Sequence, residues 1–209
     1  MLRHARLELV KPALVAAALL CLAPVAARAQ EGLSAAFAAS YAAEAKANYD
    51  DAIGALKNGY ANLYEQNLRL GWLYFLAKNY TSSATYYQKA IEQRPYAIEP
   101  KFGLIKPLNA LGQIERMLTL YTAILQVDPQ NTQANYWVGV IYLNRKQYDK
   151  AARFFEKVVN LYPFDYDTNL SLAYTYLSLG KKAEARALYN KVLLIRPGDA
   201  QALAGLKKL

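Results

Sequence analysis

Cysteine and histidine are almost absent from this sequence of 209 residues: the one cysteine is Cys21 and the one histidine is His4. Both lie in the first 29 residues, which we expect to be removed. Without them the chain has no thiol and no imidazole. This excludes a disulfide, thiolate or imidazole ligands for zinc, and covalently attached haem. It also excludes Ser-His-Asp and Cys-His nucleophiles. We therefore predict a protein that is not an enzyme and holds no metal or cofactor.

The amino-terminal segment lacks the length of a membrane-spanning helix but has the order of a secretory signal peptide. A basic start is followed by an apolar run over residues 13–27, with small residues at Ala27 and Ala29. That order predicts export with cleavage after Ala29. The alternative is an uncleaved membrane anchor, which would need roughly 20 apolar residues where this run has about 15. We expect a periplasmic protein, or a secreted one, that meets the membrane only through this segment before cleavage.

Acidic side chains are outnumbered, 16 against 25 basic ones, which gives a net charge of +9. Four of the basic residues and one of the acidic ones lie in residues 1–29, so the remainder carries +6. We interpret this excess as solvated helix faces; the alternative is loose attraction to anionic material of the cell envelope. Export argues against nucleic acid as a partner. Apolar residues make up 55% of the chain, which is enough for a substantial core.

Prolines are few, yet four of the eight recur at a fixed interval of 34 residues. A constant period of this length is typical of helical-repeat arrays. Six further columns keep the same period. The recurring positions are Pro95, Pro129, Pro163 and Pro197; Leu70, Leu104, Val138 and Leu172; Gly71, Ile105, Gly139 and Ala173; Tyr74, Leu108, Tyr142 and Tyr176; Ser83, Met117, Ala151 and Ala185; Tyr87, Tyr121, Phe155 and Tyr189; and Ala90, Ile124, Val158 and Val192.

Within each period the apolar positions lie three or four residues apart, which places them on one face of a helix. A break then reverses the chain, as at Gly112, at residues 145–147 and at Gly180. A second helix follows and must end near the proline, because the residue before proline is pushed out of helical geometry. Small residues such as Gly71 and Gly139 let the helices approach closely. The large rings that we expect to fill the gap between repeats are Tyr87, Tyr121, Phe155 and Tyr189.

These features resemble the tetratricopeptide repeat family over residues 64–197. The resemblance implies an all-α fold, a right-handed superhelical array of helix-turn-helix repeats (an α-solenoid). It also implies a concave groove, lined by the first helix of every unit, that takes an extended peptide or a helix and performs no chemistry. We divide the chain into a signal peptide at 1–29, an Ala-rich helix with a degenerate first repeat at 30–63, four repeats at 64–97, 98–131, 132–165 and 166–199, and a terminal capping helix at 200–209.

The outward columns of the first helices are largely apolar and aromatic, whereas an exposed helix face is normally polar. Such a surface is more often an interaction site than an accident, and Trp and Tyr dominate contact energies. We therefore predict that these columns line a partner-binding groove. The alternative is that some of them pack inside the superhelix or against the amino-terminal helix. The predicted groove residues are Leu68, Phe102, Tyr136 and Leu170; Trp72, Lys106, Val140 and Tyr174; and Phe75, Asn109, Leu143 and Leu177.

The groove columns bear on the kind of partner. Chaperone-binding members of the tetratricopeptide repeat family hold a carboxy-terminal carboxylate with Lys, Arg and Asn, and here only Lys106 and Asn109 match in type. An apolar or amphipathic partner helix fits the columns better. Pro107 lies in the same helix, where its ring removes one hydrogen bond and partly frees the carbonyl of Gly103. We predict a kink there, with Lys106 and Asn109 as a polar anchoring spot; a kink without function is the alternative.

Two pairs of neighbouring acidic residues are candidates for catalytic carboxylates: Asp50 with Asp51, and Asp165 with Asp167. We interpret both pairs as helix starts, where negative charge interacts favourably with the helix dipole. The sequence thus predicts an adaptor of the cell envelope that holds a partner protein or peptide. The alternative is a self-associating structural protein, a homo-oligomer, whose groove is filled by a second copy or by its own Ala-rich segment at 35–47.

Overall fold

The computed structural model describes residues 30–209 of the chain. The predicted signal peptide, with Cys21, His4 and the cleavage site after Ala29, lies outside these residues. Every regular element in the described part is an α-helix. The helices are α1 (30–44), α2 (Tyr49–Lys57), α3 (Tyr64–Leu76), α4 (Tyr80–Gln93), α5 (Glu99–Ala110), α6 (Ile114–Val127), α7 (Thr132–Asn144), α8 (Tyr148–Leu161), α9 (Tyr166–Ser178), α10 (Lys182–Ile195) and α11 (Ala200–Leu206).

Consecutive helices pack as hairpins, and the hairpins stack in chain order. Helix α3 packs with α4, α7 with α8 and α9 with α10, and each second helix also contacts the first helix of the next hairpin. First helices of neighbouring hairpins touch as well, α3 with α5 and α7 with α9, while α11 covers the end formed by α9 and α10. The predicted all-α class and the α-solenoid arrangement are confirmed. No helix within residues 30–209 has both the length and the apolar character to cross a membrane.

The hairpin turns lie at the predicted breaks and use left-handed backbone. Gly112 and Gly180 have φ angles of +68° and +74°, which glycine adopts without steric cost. Lys146 takes the same place with a φ of +59°. The residue after the turn closes it: the amide of Gln113 donates to the carbonyl of Leu108 at 2.9 Å. This is the bond of a Schellman motif, which satisfies a carbonyl at the helix end.

The predicted column of rings fills the space between hairpins. A Cβ added at Gly71 would lie 2.8 Å from the ring of Tyr87, and one added at Gly103 would overlap the same ring. The ring therefore lies between the first helix of its own hairpin and that of the next. A Cβ added at Gly139 would likewise lie 2.6 Å from the ring of Phe155. Glycine is required at these positions because the close-packed ring leaves no room for a side chain.

A buried polar residue near the start of each of three first helices ties that helix to the loop before it. The Nδ2 atom of Asn135 donates to the carbonyls of Pro129 at 3.0 Å and Asn131 at 2.9 Å. Asn169 makes the same pair of bonds one hairpin later, and the ammonium group of Lys101 makes them one hairpin earlier. Burial lowers the pKa of Lys101. These bonds fix the loop carbonyls to the helix that follows, which the 34-residue pattern of apolar positions did not reveal.

Helix α5 differs from the other first helices through Pro107. The helix nevertheless continues from Glu99 to Ala110, so proline does not end it. Proline lacks one donor and still permits a continuous helix when neighbouring packing holds it. The kink at this position stays a prediction.

The two acidic pairs lie at helix starts, as predicted. Asp50 and Asp51 occupy the first turn of α2, and Asp167 occupies the first turn of α9. Asp165 caps α9, where its side chain accepts a hydrogen bond from the amide of Thr168 at 2.9 Å. Each carboxylate is thus placed where it offsets the unpaired amides of a helix end.

Candidate functional site

Helix α1 is fastened to α3 by polar contacts around a buried arginine. The guanidinium group of Arg69 pairs with the carboxylate of Glu44, and its Nε atom donates to Oγ of Ser40 at 3.3 Å. The same group lies 3.8 Å from the ring centroid of Tyr41. Glu44 also accepts a hydrogen bond from the indole of Trp72 at 2.8 Å. Because Arg69 is only 8% exposed, these charge-assisted contacts are shielded from water and hold α1 in place.

A cavity of about 710 Å³ opens beside α1, α3 and α5. We name it the Trp72 cavity. Its apolar wall combines rings from three helices: Phe37 and Tyr41 of α1, Trp72 of α3 and Phe102 of α5. Tyr87 of α4 also reaches it, and burial, with a smaller contribution from Glu99, raises the pKa of that phenol. A tyrosine hydroxyl is uncharged at neutral pH in any case, and the raised pKa extends the uncharged form further into the alkaline range.

The charges of the Trp72 cavity are balanced, with two basic and two acidic side chains in its lining. The Nζ atom of Lys106 lies 4.6 Å from the ring of Trp72, within cation–π range. The Nη2 atom of Arg69 is buried and has no hydrogen-bond partner among the described residues. Glu65 and Glu99 supply the acids. An apolar wall with separated charges suits an amphipathic ligand. In residues 30–209 no three or more acidic, histidine or cysteine side chains are grouped to hold a metal ion.

A second cavity, of about 310 Å³, lies between α7, the end of α8 and the start of α9. We name it the Trp137 cavity. Tyr136 and Trp137 of α7 form one side, and Tyr162, which follows α8, contributes a third ring. Gln133 lines both cavities, so the two are neighbours on the surface formed by the first helices.

The structure distributes the predicted groove residues over several environments. Leu68, Trp72, Phe102 and Lys106 meet in the Trp72 cavity, and Tyr136 lines the Trp137 cavity. Phe75 stacks on Trp72 with ring centroids 6.0 Å apart. Four others are partly buried against a core cluster: Val140, Leu143, Leu170 and Leu177. The remaining two, Asn109 and Tyr174, are exposed. Of the proposed anchoring pair, Lys106 lines a cavity and Asn109 does not. The twelve residues as one continuous binding groove stay a prediction.

Several cavity residues lie where the repeat pattern gave no reason to expect them. Phe37 and Tyr41 belong to α1, whose Ala-rich sequence does not show which helix it packs on. The outward position of Trp137 could have been predicted from the sequence. It falls in the same column of the repeat as Gly103 and Gly205, both of which make room for a ring. A large side chain cannot enter that space, and Trp137 is 41% exposed.

Family models described as tetratricopeptide repeat match most of the chain, one over residues 142–209 and another over residues 37–98 and 110–166. The chain belongs to the tetratricopeptide repeat family. Residues 99–109, which fall between the matched stretches, make up nearly all of α5, the helix that contains Pro107. Tetratricopeptide repeat proteins are typically non-catalytic, and the stacked hairpins described above support a scaffold for protein interactions.

Solved tetratricopeptide repeat structures share this fold. The crystal structure of MamA protein is 20% identical, with a TM-score of 0.69 over 79% of this chain and 92% of that one. A tetratricopeptide repeat protein from Parabacteroides merdae is 19% identical, with a TM-score of 0.72 over 84% of this chain and 71% of that one. YrrB, described as a TPR protein with an unusual peptide-binding site, is 18% identical, with a TM-score of 0.66 over 81% and 89%. At these identities the likeness shows the fold alone.

Among curated proteins, the Protein CTR9 homolog of Arabidopsis thaliana is 22% identical over 130 residues. That match covers 62% of this chain but only 12% of the plant protein. The similarity therefore concerns the repeat array and not the function of the larger protein.

Proposed function

We propose that this protein is a non-catalytic scaffold that holds an apolar or amphipathic segment of a partner protein, with the Trp72 cavity as the main anchor. The observation that carries the proposal is the meeting of rings from α1, α3 and α5 around a cavity of about 710 Å³. A cavity of this size accommodates a large apolar side chain or one face of a helical turn. Aromatic anchors held in such pockets dominate the energy of protein interfaces.

The proposed ligand is a peptide segment because the fold presents two neighbouring cavities on the surface of its first helices. The Trp72 and Trp137 cavities share Gln133 in their linings, so one segment can contact both. YrrB, which shares the fold, is described as having a peptide-binding site, and this supports the same class of ligand here. The cell envelope remains our proposed location, on the signal-peptide order of residues 1–29.

Self-association is a second candidate function, and α1 favours it. Phe37 and Tyr41 of α1 already form one wall of the Trp72 cavity, and Glu44 bonds to Trp72. The chain thus fills part of the groove with its own amino-terminal helix, and the same surface can accept that helix from a second copy. Sedimentation of the purified protein separates the candidates, since a monomer at micromolar concentration contradicts this second function.

Selection of peptides from a displayed library on residues 30–209 tests the proposed function. We expect Phe102→Ala to weaken the selected peptides by about ten-fold or more, because it removes one ring of the anchor without touching the contacts of α1 with α3. Tyr96→Ala is the matched control: Tyr96 is 83% exposed and lines neither cavity. Circular dichroism checks that both variants stay helical. Equal affinity for Phe102→Ala and the unchanged protein would refute the Trp72 cavity as the anchor.

A further inference from the structure

The Trp137 cavity is smaller than the Trp72 cavity, and two of its rings are open to solvent. Trp137 is 41% exposed and Tyr162 is 58% exposed. Tyr136 stands edge-on to Trp137 with ring centroids 5.4 Å apart and an angle of 76°. Aromatic faces that remain open at a cavity offer negative potential to whatever enters it.

The two cavities also differ in charge. Among the described residues that line the Trp137 cavity, Asp165 and Asp167 are acidic and none is basic. Burial is the main cause that raises the pKa of the Tyr136 phenol; a hydrogen bond with Ser171 lowers it, and the charges of Asp167 and Asp165 raise it. Asp165 uses one oxygen to cap α9 through Thr168, and the charge of the group remains. The cavity therefore combines exposed rings with two carboxylates, whose charge the start of α9 offsets only in part and no lining side chain pairs.

We propose that the Trp137 cavity binds a basic side chain, the guanidinium of an arginine or the ammonium of a lysine, carried by the partner segment. A cation within about 6 Å of a Trp or Tyr ring is attracted by the ring and, here, by two carboxylates as well. The alkyl stem of arginine or lysine packs against ring faces while the charged end stays close to the acids. A cavity of about 310 Å³ is large enough for one such side chain.

This inference rests on the proposed function and specifies the ligand further. Gln133 lies between the cavities, so a segment seated on Trp72 and Phe102 continues past it towards Trp137. The favoured partner then carries an apolar anchor for the first cavity and a basic residue for the second. The pairing predicts selectivity: the first cavity supplies apolar contact, and the second rejects an acidic residue at the corresponding position.

The two tryptophans of the chain allow each cavity to be observed separately, because Trp72 lies in one and Trp137 in the other. In a ¹H–¹⁵N NMR spectrum they give two indole signals, which Trp72→Phe and Trp137→Phe assign. The probes are the blocked tripeptide acetyl-Ala-Arg-Ala-amide and its analogue with citrulline, the uncharged isostere of arginine. We expect the arginine probe to move the Trp137 signal and to bind about five-fold or more tightly than the citrulline probe, as one cation–π contact with charge attraction provides.

The double variant Asp165→Asn with Asp167→Asn removes the charge and keeps the fold, since Asn caps a helix as well as Asp does. We expect it to lose the preference for arginine over citrulline. Asp149→Asn is the control, because Asp149 is an exposed first-turn acid of α8 outside the cavity. Equal binding of the two probes to the unchanged protein overturns the inference, and so does a shift confined to the Trp72 signal. Selected peptides that still require Phe102 would show that the proposed function stands when the basic-residue site fails.

Discussion

At the scale of single residues, the contact between Gly103 and Tyr87 shows what stacking the hairpins requires. The ring of Tyr87 is buried between α3 and α5, against Gly71 on one side and Gly103 on the other. A ring held on both sides cannot turn away from a new neighbour. The size limit at these glycines therefore comes from packing and not from backbone conformation, since both lie inside helices.

Gly103→Ala is expected to destabilise the array by about 1–3 kcal/mol, the usual cost of overpacking a filled core. Gly54 provides the matched control, because it lies in α2 and a Cβ there meets nothing within 4 Å. Gly54→Ala should stabilise the protein by about 0.5–1 kcal/mol through the better helix propensity of alanine. Urea denaturation followed by circular dichroism measures both changes. Two shifts of the same sign would contradict this account of the ring column.

At the scale of single elements, α1 is held on α3 by a few polar contacts beside its apolar ones. Its inward side combines Phe37 with Ser40, Tyr41 and Glu44, and the last three surround Arg69. The helix also forms one wall of the Trp72 cavity. Any change in how firmly α1 is held therefore alters the shape of the proposed anchor.

Glu44→Ala should loosen α1, because it leaves the buried guanidinium of Arg69 without its carboxylate and the indole of Trp72 without an acceptor. Hydrogen bonds to charged groups contribute about 1.5–3 kcal/mol, which sets the scale of the loss. Hydrogen exchange followed by mass spectrometry should show faster exchange in residues 30–44 and unchanged exchange in α7 to α10. Glu31→Ala, at an exposed position of the same helix, is the control. Unchanged protection of α1 in Glu44→Ala would show that apolar contacts alone hold it.

At the scale of the whole molecule, the buried tyrosines between hairpins make the free energy of unfolding fall at alkaline pH. Burial raises the pKa of Tyr121 from its ordinary value of 10 to about 12. Between these values the unfolded chain gives up the phenolic proton and the folded chain keeps it. The stability linked to this group is therefore complete below pH 10 and is lost as the pH rises towards 12.

Tyr121→Phe should reduce the loss of unfolding free energy between pH 10 and pH 12 by an amount on the order of 1–2 kcal/mol. Phenylalanine fits the column, as Phe155 occupies the equivalent place one repeat later. The free energy of unfolding measured in urea from pH 9 to 12 checks the prediction. Tyr96→Phe is the control, because that side chain is 83% exposed. Parallel pH profiles for Tyr121→Phe and the unchanged protein would contradict it.

Recurrence every 34 residues was enough to predict the hairpins, their turns and the order in which they stack. The prediction succeeded because each unit buries its apolar face on its neighbours in the same way, so local pattern and tertiary contact repeat together. The same reasoning identified Trp72, Phe102 and Lys106, since outward positions of a helix follow from its period.

The sequence by itself determined the helical array and the ring column, because both depend on spacings along the chain. The tertiary structure decided where α1 lies, which of the outward residues face a cavity and which join the core. Those outcomes depend on residues far apart in sequence, which make a contact, as Glu44 does with Trp72, or line one cavity, as Trp137 and Tyr162 do. No period along the chain encodes such pairs, so the two cavities could be found only after the helices were placed in space.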